Sequence, residues 1–278
     1  MNVGIGLPVA APEQLLTWAR RADAGPFRTI ALLDRVVYDN PEPLIALAAL
    51  AGVTTRVRLQ TEVLLAPLHR TVVLAKQAAT LDRLSGGRFT LGIGVGGRAD
   101  DFDAARVDLK TRGRRLDEQM QRMRGYWSGT EVGPVPTTPG GPEVLFGGFA
   151  PAAVERVARW GDGFLGAAAP PAAMGEKFAA VVDAWERHGR SGSPRLVAQF
   201  NAVLGSADVI ASARAEIGRY YAFAPFVDHI VNGLVTTPEQ VRSTISAFGS
   251  VGADEVMLYC YAPDPDQLDR IGDAITGR

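Results

Sequence analysis

Apolar positions along the chain fall into two alternating rhythms. Short runs of apolar residues occupy positions 3–7, 29–33, 57–65, 89–95, 143–147, 163–167, 196–204 and 255–259. Between and after them lie longer stretches in which apolar residues recur every three or four positions: 12–24, 42–53, 71–84, 113–127, 150–161, 172–188, 207–221 and 264–276. The first rhythm predicts buried strands and the second amphipathic helices. Strict alternation of the two predicts parallel strands joined by helical crossovers. Eight strand–helix units in a chain of 278 residues predict an α/β fold of one domain, residues 1–278, closed as a (β/α)8 TIM barrel.

Local signals agree. Thr237-Pro238-Glu239 combines an N-cap residue, a first-turn proline and a first-turn acid, so 234–249 reads as an extra turn and helix before the last strand. Ser85-Gly86-Gly87 ends one helix before the strand at 89–95. The Pro-, Gly- and Thr-rich stretch 132–142 reads as a loop, because the alternation resumes on both sides. The segment after the fourth strand, 98–102, is polar, has no apolar stripe and predicts no helix.

Composition narrows the chemistry. Hydrophobic residues make up 47% and the net charge is −1, which suits a soluble globular protein and gives no footprint for nucleic acid or an anionic membrane. No run of about 18 apolar residues predicts a membrane span. The N-terminus lacks the basic and apolar regions of a signal peptide, and the one cysteine fits a reducing compartment. Together these predict a cytoplasmic protein, and the richness in Ala, Arg and Gly suggests a bacterial one. No His-Glu-x-x-His or Cys/His cluster predicts a metal site, and no Gly-x-Ser-x-Gly elbow predicts a serine hydrolase.

The stretch RFTLGIGVGG, residues 88–97, places Gly92, Gly94 and Gly97 at dinucleotide-fingerprint spacing. That fingerprint requires a helix opening on the third glycine. Here the first two glycines lie inside a strand, where they allow backbone or a flat ligand to approach closely. Asp34 and Arg35 end the second strand, where an arginine either suits a developing anion or forms a surface ion pair. Glu62 ends the third strand on the face opposite Leu59 and Thr61, where a charge set against a helix layer would be unfavourable, or sits at the rim in solvent. His69 follows in the next loop as a possible acid or base, or as a solvated helix-start residue. Gly147-Gly148 precedes a helix start, a place that suits a phosphate. Arg98, Asp100 and Asp101 are either entrance residues or a solvated loop, and Phe146, Phe149, Trp160 and Phe164 read as core.

The segment LHRTVVLAKQAATLDRLSGGRFTLGIGVGG, residues 68–97, resembles the luciferase-like flavin monooxygenases. So do LDEQMQRMRGYW (116–127), VLFGGFAPAAVERVARWGDGFL (144–165) and GLVTTPEQVRSTISAFGSVGADEVMLY (233–259). The resemblance implies a barrel that uses FMN with oxygen, or coenzyme F420 as a hydride carrier, on a small organic substrate. It also implies a non-proline cis peptide at Glu62–Val63 and a homodimer. By that register Pro8, Asp34, Thr61, Val63, Gly94 and Gly97 bind the ring, Gly147 and Gly148 lie near the phosphate end, and Arg35, Glu62 and His69 are the catalytic candidates. The chain departs from the family pattern at Arg35, where a histidine is common, at Gly97, where the F420 branch often has a glutamate, and at the apolar Ala167–Ala168–Ala169. These departures keep two alternatives open: a cofactor-free barrel that binds a small ligand or partner, and a flavin-free enzyme using Glu62 and His69.

Overall fold

The computed structural model describes residues 1–7 and 12–278. Its strands are β1 (Asn2–Gly6), β2 (Thr29–Leu32), β3 (Arg58–Thr61), β4 (Leu64–Leu65), β5 (Phe89–Gly94), β6 (Glu143–Gly147), β7 (Gly163–Ala168), β8 (Arg195–Asn201) and β9 (Glu255–Tyr259). Its helices are α1 (Leu15–Ala24), α2 (Pro43–Ala51), α3 (Thr71–Leu84), α4 (Ala99–Ala104), α5 (Arg112–Ser128), α6 (Pro151–Trp160), α7 (Pro171–Arg187), α8 (Ala207–Tyr220), α9 (Val227–Asn232), α10 (Pro238–Ser250) and α11 (Gln267–Thr276).

Every strand pairing is parallel, in the order β3-β2-β1-β9-β8-β7-β6-β5-β4. A further β3–β5 pairing, Leu59 with Phe89 and Gln60 with Thr90, closes the sheet on itself. The result is a closed barrel of eight strand positions, as the alternation predicts. The third position is split: the expected run 57–65 is interrupted between Thr61 and Leu64, and the Glu62–Val63 peptide bond there is cis.

Two helices were not legible in the sequence. Helix α4 occupies the polar segment after β5, and only Asp101 and Phe102 of its six residues are buried. With two inward positions no apolar stripe could form. Helix α9 is equally short, with Ile230 its buried residue. Helix α4 does open just after Gly97, but its strand belongs to a closed barrel, not to a dinucleotide-binding sheet. The N-cap reading at Thr237 holds, since its hydroxyl accepts the Gln240 amide at 3.2 Å.

The barrel interior is filled unevenly. Gly4 and Gly6 leave room for neighbouring side chains on β9: a Cβ on them would lie 2.2 Å from Met257 Sδ and 2.4 Å from the Tyr259 ring. At the N-terminal end of the barrel an ion network spans the lumen. Arg58 donates to Glu143 at 2.9 Å, and Arg195 donates to Glu143 at 2.7 Å and to Glu255 at 2.6 Å. Such half-buried pairs stay in place because each charge has a partner; removing one would strand the other.

Gly92 sits where the broken strand crosses β5. A Cβ there would lie 1.9 Å from the Thr61 carbonyl oxygen, a backbone atom that cannot swing away. At Gly97 an added Cβ meets nothing within 4 Å. Gly92→Ala is therefore expected to cost about 3 kcal/mol, while Gly97→Ala stays within about 0.5 kcal/mol. Urea unfolding of both variants checks this, and equal midpoints would refute the steric account.

Candidate active site

A cleft of about 390 Å³ opens at the C-terminal ends of the strands, where barrel enzymes place their chemistry. Its walls come from the segments after β2, β3, β5 and β6, from the ends of β7 and β8, and from the stretch after α8. Asp34, Arg35, Glu62, Val63, Gly94, Gly97, Gly147 and Gly148 all line it. Thr61 and His69 do not, and Pro8 lies outside the described residues.

The floor is built around Val63. An added Cβ on Gly94 or on Gly147 would come within 2.7 Å of a Val63 methyl group. Both glycines thus admit the valine between the ends of β5 and β6, while the main chain at Gly97 faces open space. Thr61 is fully buried and donates its hydroxyl to the Gly92 carbonyl at 2.7 Å, which ties β3 to β5. Asp34 fixes the start of the next segment, accepting the Leu65 amide at 2.8 Å. His69 Nε2 lies 3.8 Å from Asp34 Oδ2, so this ring stands beside Asp34 and outside the lining of the cleft.

Glu62 is the unusual group. Its side chain does not meet the helix layer; it is 5% exposed and reaches the floor of the cleft. Gln60 Nε2 donates to Glu62 Oε2 at 2.8 Å, and Oε1 has no protein partner. Burial pushes its carboxyl up to about 8, opposed by the Gln60 hydrogen bond and reinforced by Glu255. Near neutral pH the carboxyl therefore keeps its proton and can donate.

Arg35 is also buried and largely neutralised. Its Nε donates to Asp101 at 2.5 Å and its Nη2 to Asp100 at 3.0 Å, while Nη1 has no partner. Asp101 further accepts the Val36 and Val37 amides at 2.8 and 3.1 Å. Burial disfavours the Asp101 carboxylate, but the Arg35 and backbone hydrogen bonds outweigh it and hold it below the ordinary range. The loop read from sequence as an entrance or a solvated surface is thus a clamp: α4 carries the counter-ion for Arg35.

Sequence reasoning missed the fourth wall. Tyr220, the last residue of α8, and Tyr221 and Phe223 just beyond it line the cleft. Their rings run in sequence, Tyr220 edge-on to Tyr221 at 4.9 Å and Tyr221 stacked on Phe223 at 6.4 Å. The aromatic run YYAFAPF, residues 220–226, carried the signal. Phe149, read as core, is half-exposed at the mouth, whereas Phe146 and Phe164 are core. Gln199 of β8 was also not singled out. Among the described residues no helix is long and apolar enough to cross a membrane, and no cluster of three metal-ligating side chains occurs.

Comparison with known proteins agrees with this geometry. The model of the luciferase-like monooxygenase family matches residues 2–240. An uncharacterized protein of Mycobacterium tuberculosis (strain ATCC 25618 / H37Rv) is 33% identical over 54% of this chain and 56% of its own length. The chain thus spans little more than half the length of the curated relatives it matches first. The 4-hydroxyprotoasukamycin monooxygenase of Streptomyces nodosus subsp. asukaensis is 38% identical over 33% of this chain and 24% of its own. Among solved structures, the monooxygenase RslO1 from Streptomyces bottropensis superposes with a TM-score of 0.84 at 22% identity, covering 100% of this chain and 99% of that one. An F420-dependent secondary alcohol dehydrogenase does so at 0.82 and 17%, covering 99% of both. At these identities the structural likeness shows the shared fold.

Two outcomes follow from the charges. Folding raises the Glu62 carboxyl above the ordinary 4.5, so its contribution to stability is complete below that value and is lost as pH rises through about 8. Between pH 5 and pH 8 the protein should lose a few kcal/mol through this group, and Glu62→Gln should flatten that decline in urea midpoints. Parallel profiles would refute the burial. Separately, Arg35→Met should cost about 3 kcal/mol by stranding Asp101, and Arg35→Met/Asp101→Asn should lose less; additive losses in urea unfolding would refute the clamp.

Proposed function

Since the chain belongs to the luciferase-like monooxygenase family, we propose that it is an oxidoreductase that holds a flavin-type cofactor, FMN or coenzyme F420, in the rim cleft and acts on a small organic substrate. The observation that carries this reading is the floor of the cleft. Main chain at Gly94, Gly96, Gly97, Gly147 and Gly148, with the low ridge of Val63, offers a surface with few projecting side chains. Beside that surface stands a buried carboxyl with one free oxygen, Glu62 Oε1. A flat ring with polar edge atoms fits both. When bound, such a cofactor supplies the electrons, toward oxygen from reduced FMN or as hydride from reduced F420.

The chain's own residues would do the rest. Glu62, neutral near pH 7, offers a proton from the floor of the cleft to an oxygen or nitrogen of the bound ligands. Arg35 presents Nη1, its other donors being held by Asp100 and Asp101, and donates a hydrogen bond without bringing a net charge. Asp34 and Thr61 anchor the broken strand that carries Glu62 and Val63. His69 stands next to Asp34, outside the lining of the cleft. Gly147 and Gly148 lead into the N-terminus of α6, whose positive dipole end suits the phosphate end. The cleft brings in Glu62 without His69, which gives no support to an acid–base pair acting without a cofactor.

Fluorescence and absorbance titrations of the purified protein with FMN and with F420, in both redox states, test the proposal. At least one should bind in the micromolar range or tighter, and Glu62→Gln should weaken it or shift its bound spectrum. Oxygen uptake by the FMN-loaded protein, or hydride transfer by the F420-loaded one, then assigns the branch. If neither cofactor binds, the proposal fails.

A further inference from the structure

The mouth of the cleft combines two features: it exposes aromatic rings, and its charges cancel. Phe149 and Phe223, both lining the cleft, are 51% and 56% exposed. They come from unrelated segments, one after β6 and one after α8, so neither is there to complete the other's local packing. Each leaves a large apolar side chain in water at a binding cleft, where exposed apolar surface marks ligand contact. Phe223 is held in place. The Arg98 guanidinium lies 4.0 Å over its ring, and Tyr221 stacks behind it with planes 26° apart. Arg98 in turn donates to the Tyr220 carbonyl at 2.8 Å. A ring braced in this way presents a fixed flat face.

The charges at the cleft are paired within the protein. Arg35 is bound to Asp100 and Asp101, Arg98 covers Phe223 and lies 3.8 Å from Asp100, and Asp34 faces the Leu65 amide and His69. Glu62 keeps its proton near neutral pH. Among the described lining residues no cation is left over to recruit an anionic substrate, and the opposite wall is apolar: Leu33, Leu65, Val95, Leu165 and Ala167.

Building on the oxidoreductase reading, we propose that the substrate is an uncharged, flat aromatic molecule, gripped at the mouth by Phe149 and Phe223. Offset or edge-on ring contacts would add to the area buried, and only a flat ligand gains them. An anion would have to shed its hydration without gaining a counter-ion.

Calorimetric titration at pH 7 with three probes tests this: 1-naphthol, 1-naphthoate and decanal, on both cofactor-free and cofactor-saturated protein. 1-Naphthol should bind at least tenfold tighter than the other two. Phe149→Ala and Phe223→Ala should each weaken it five- to tenfold while leaving cofactor affinity within twofold. Phe223→Leu, which keeps the apolar bulk and loses the flat face, should show an intermediate loss, and thermal melts verify that each variant folds. Equal affinity for 1-naphthoate or decanal would overturn the proposal. So would variants that weaken cofactor and 1-naphthol alike, because the rings would then be packing the cofactor. If the protein took up 1-naphthol but showed no affinity for either FMN or F420, the oxidoreductase reading would fail and the aromatic grip would stand.

Discussion

The structure depends on one close approach, the Thr61 carbonyl against the backbone of Gly92. It occurs where the third strand breaks, and only a residue without a side chain allows β3 and β5 to meet there. That meeting closes the barrel. The same break turns Glu62 into the lumen and lays Val63 between Gly94 and Gly147. Closure of the fold and construction of the cleft floor are therefore one event. The glycines at fingerprint spacing serve it with different duties: Gly92 admits backbone, Gly94 admits a side chain and Gly97 leaves open space.

Around that floor the charged residues are organised to cancel. Arg35, which from sequence alone suited either an anion or an ion pair, reaches the cleft already bound to Asp101 and Asp100. Its counter-ions sit on a helix too short to read from apolar periodicity. In a low-dielectric site a compensated arginine acts as a rigid hydrogen-bond donor and a brace, not as a source of field. Glu62 reaches the same outcome by another route, keeping its proton because no cation is close enough to favour the carboxylate over the cost of burial.

The parts of the molecule that repeat were legible in the sequence. Strand–helix alternation with period-matched apolar positions located all eight barrel positions, because burial on both faces of a parallel strand leaves a continuous apolar run. The position of the cis bond at Glu62–Val63 was legible through resemblance alone. The rest depends on tertiary contact. The α4 clamp needs Arg35 from 66 residues earlier in the chain. The aromatic wall at 220–223 straddles the end of a helix, where periodicity says nothing about which residues will fold over the rim. Phe149 looked like core because phenylalanines usually are, and no local signal marks the few that are not.

The ion network at the other end of the barrel has a consequence for traffic. Arg58, Glu143, Arg195 and Glu255 cork the lumen with mutually paired charges. Among the described residues, Glu62 then meets water only from the cleft side. A molecule seated on the floor would cut that acid off from bulk solvent. Whatever proton it holds at the moment of binding would stay in the complex until the cleft reopens, so occupancy itself would meter proton exchange.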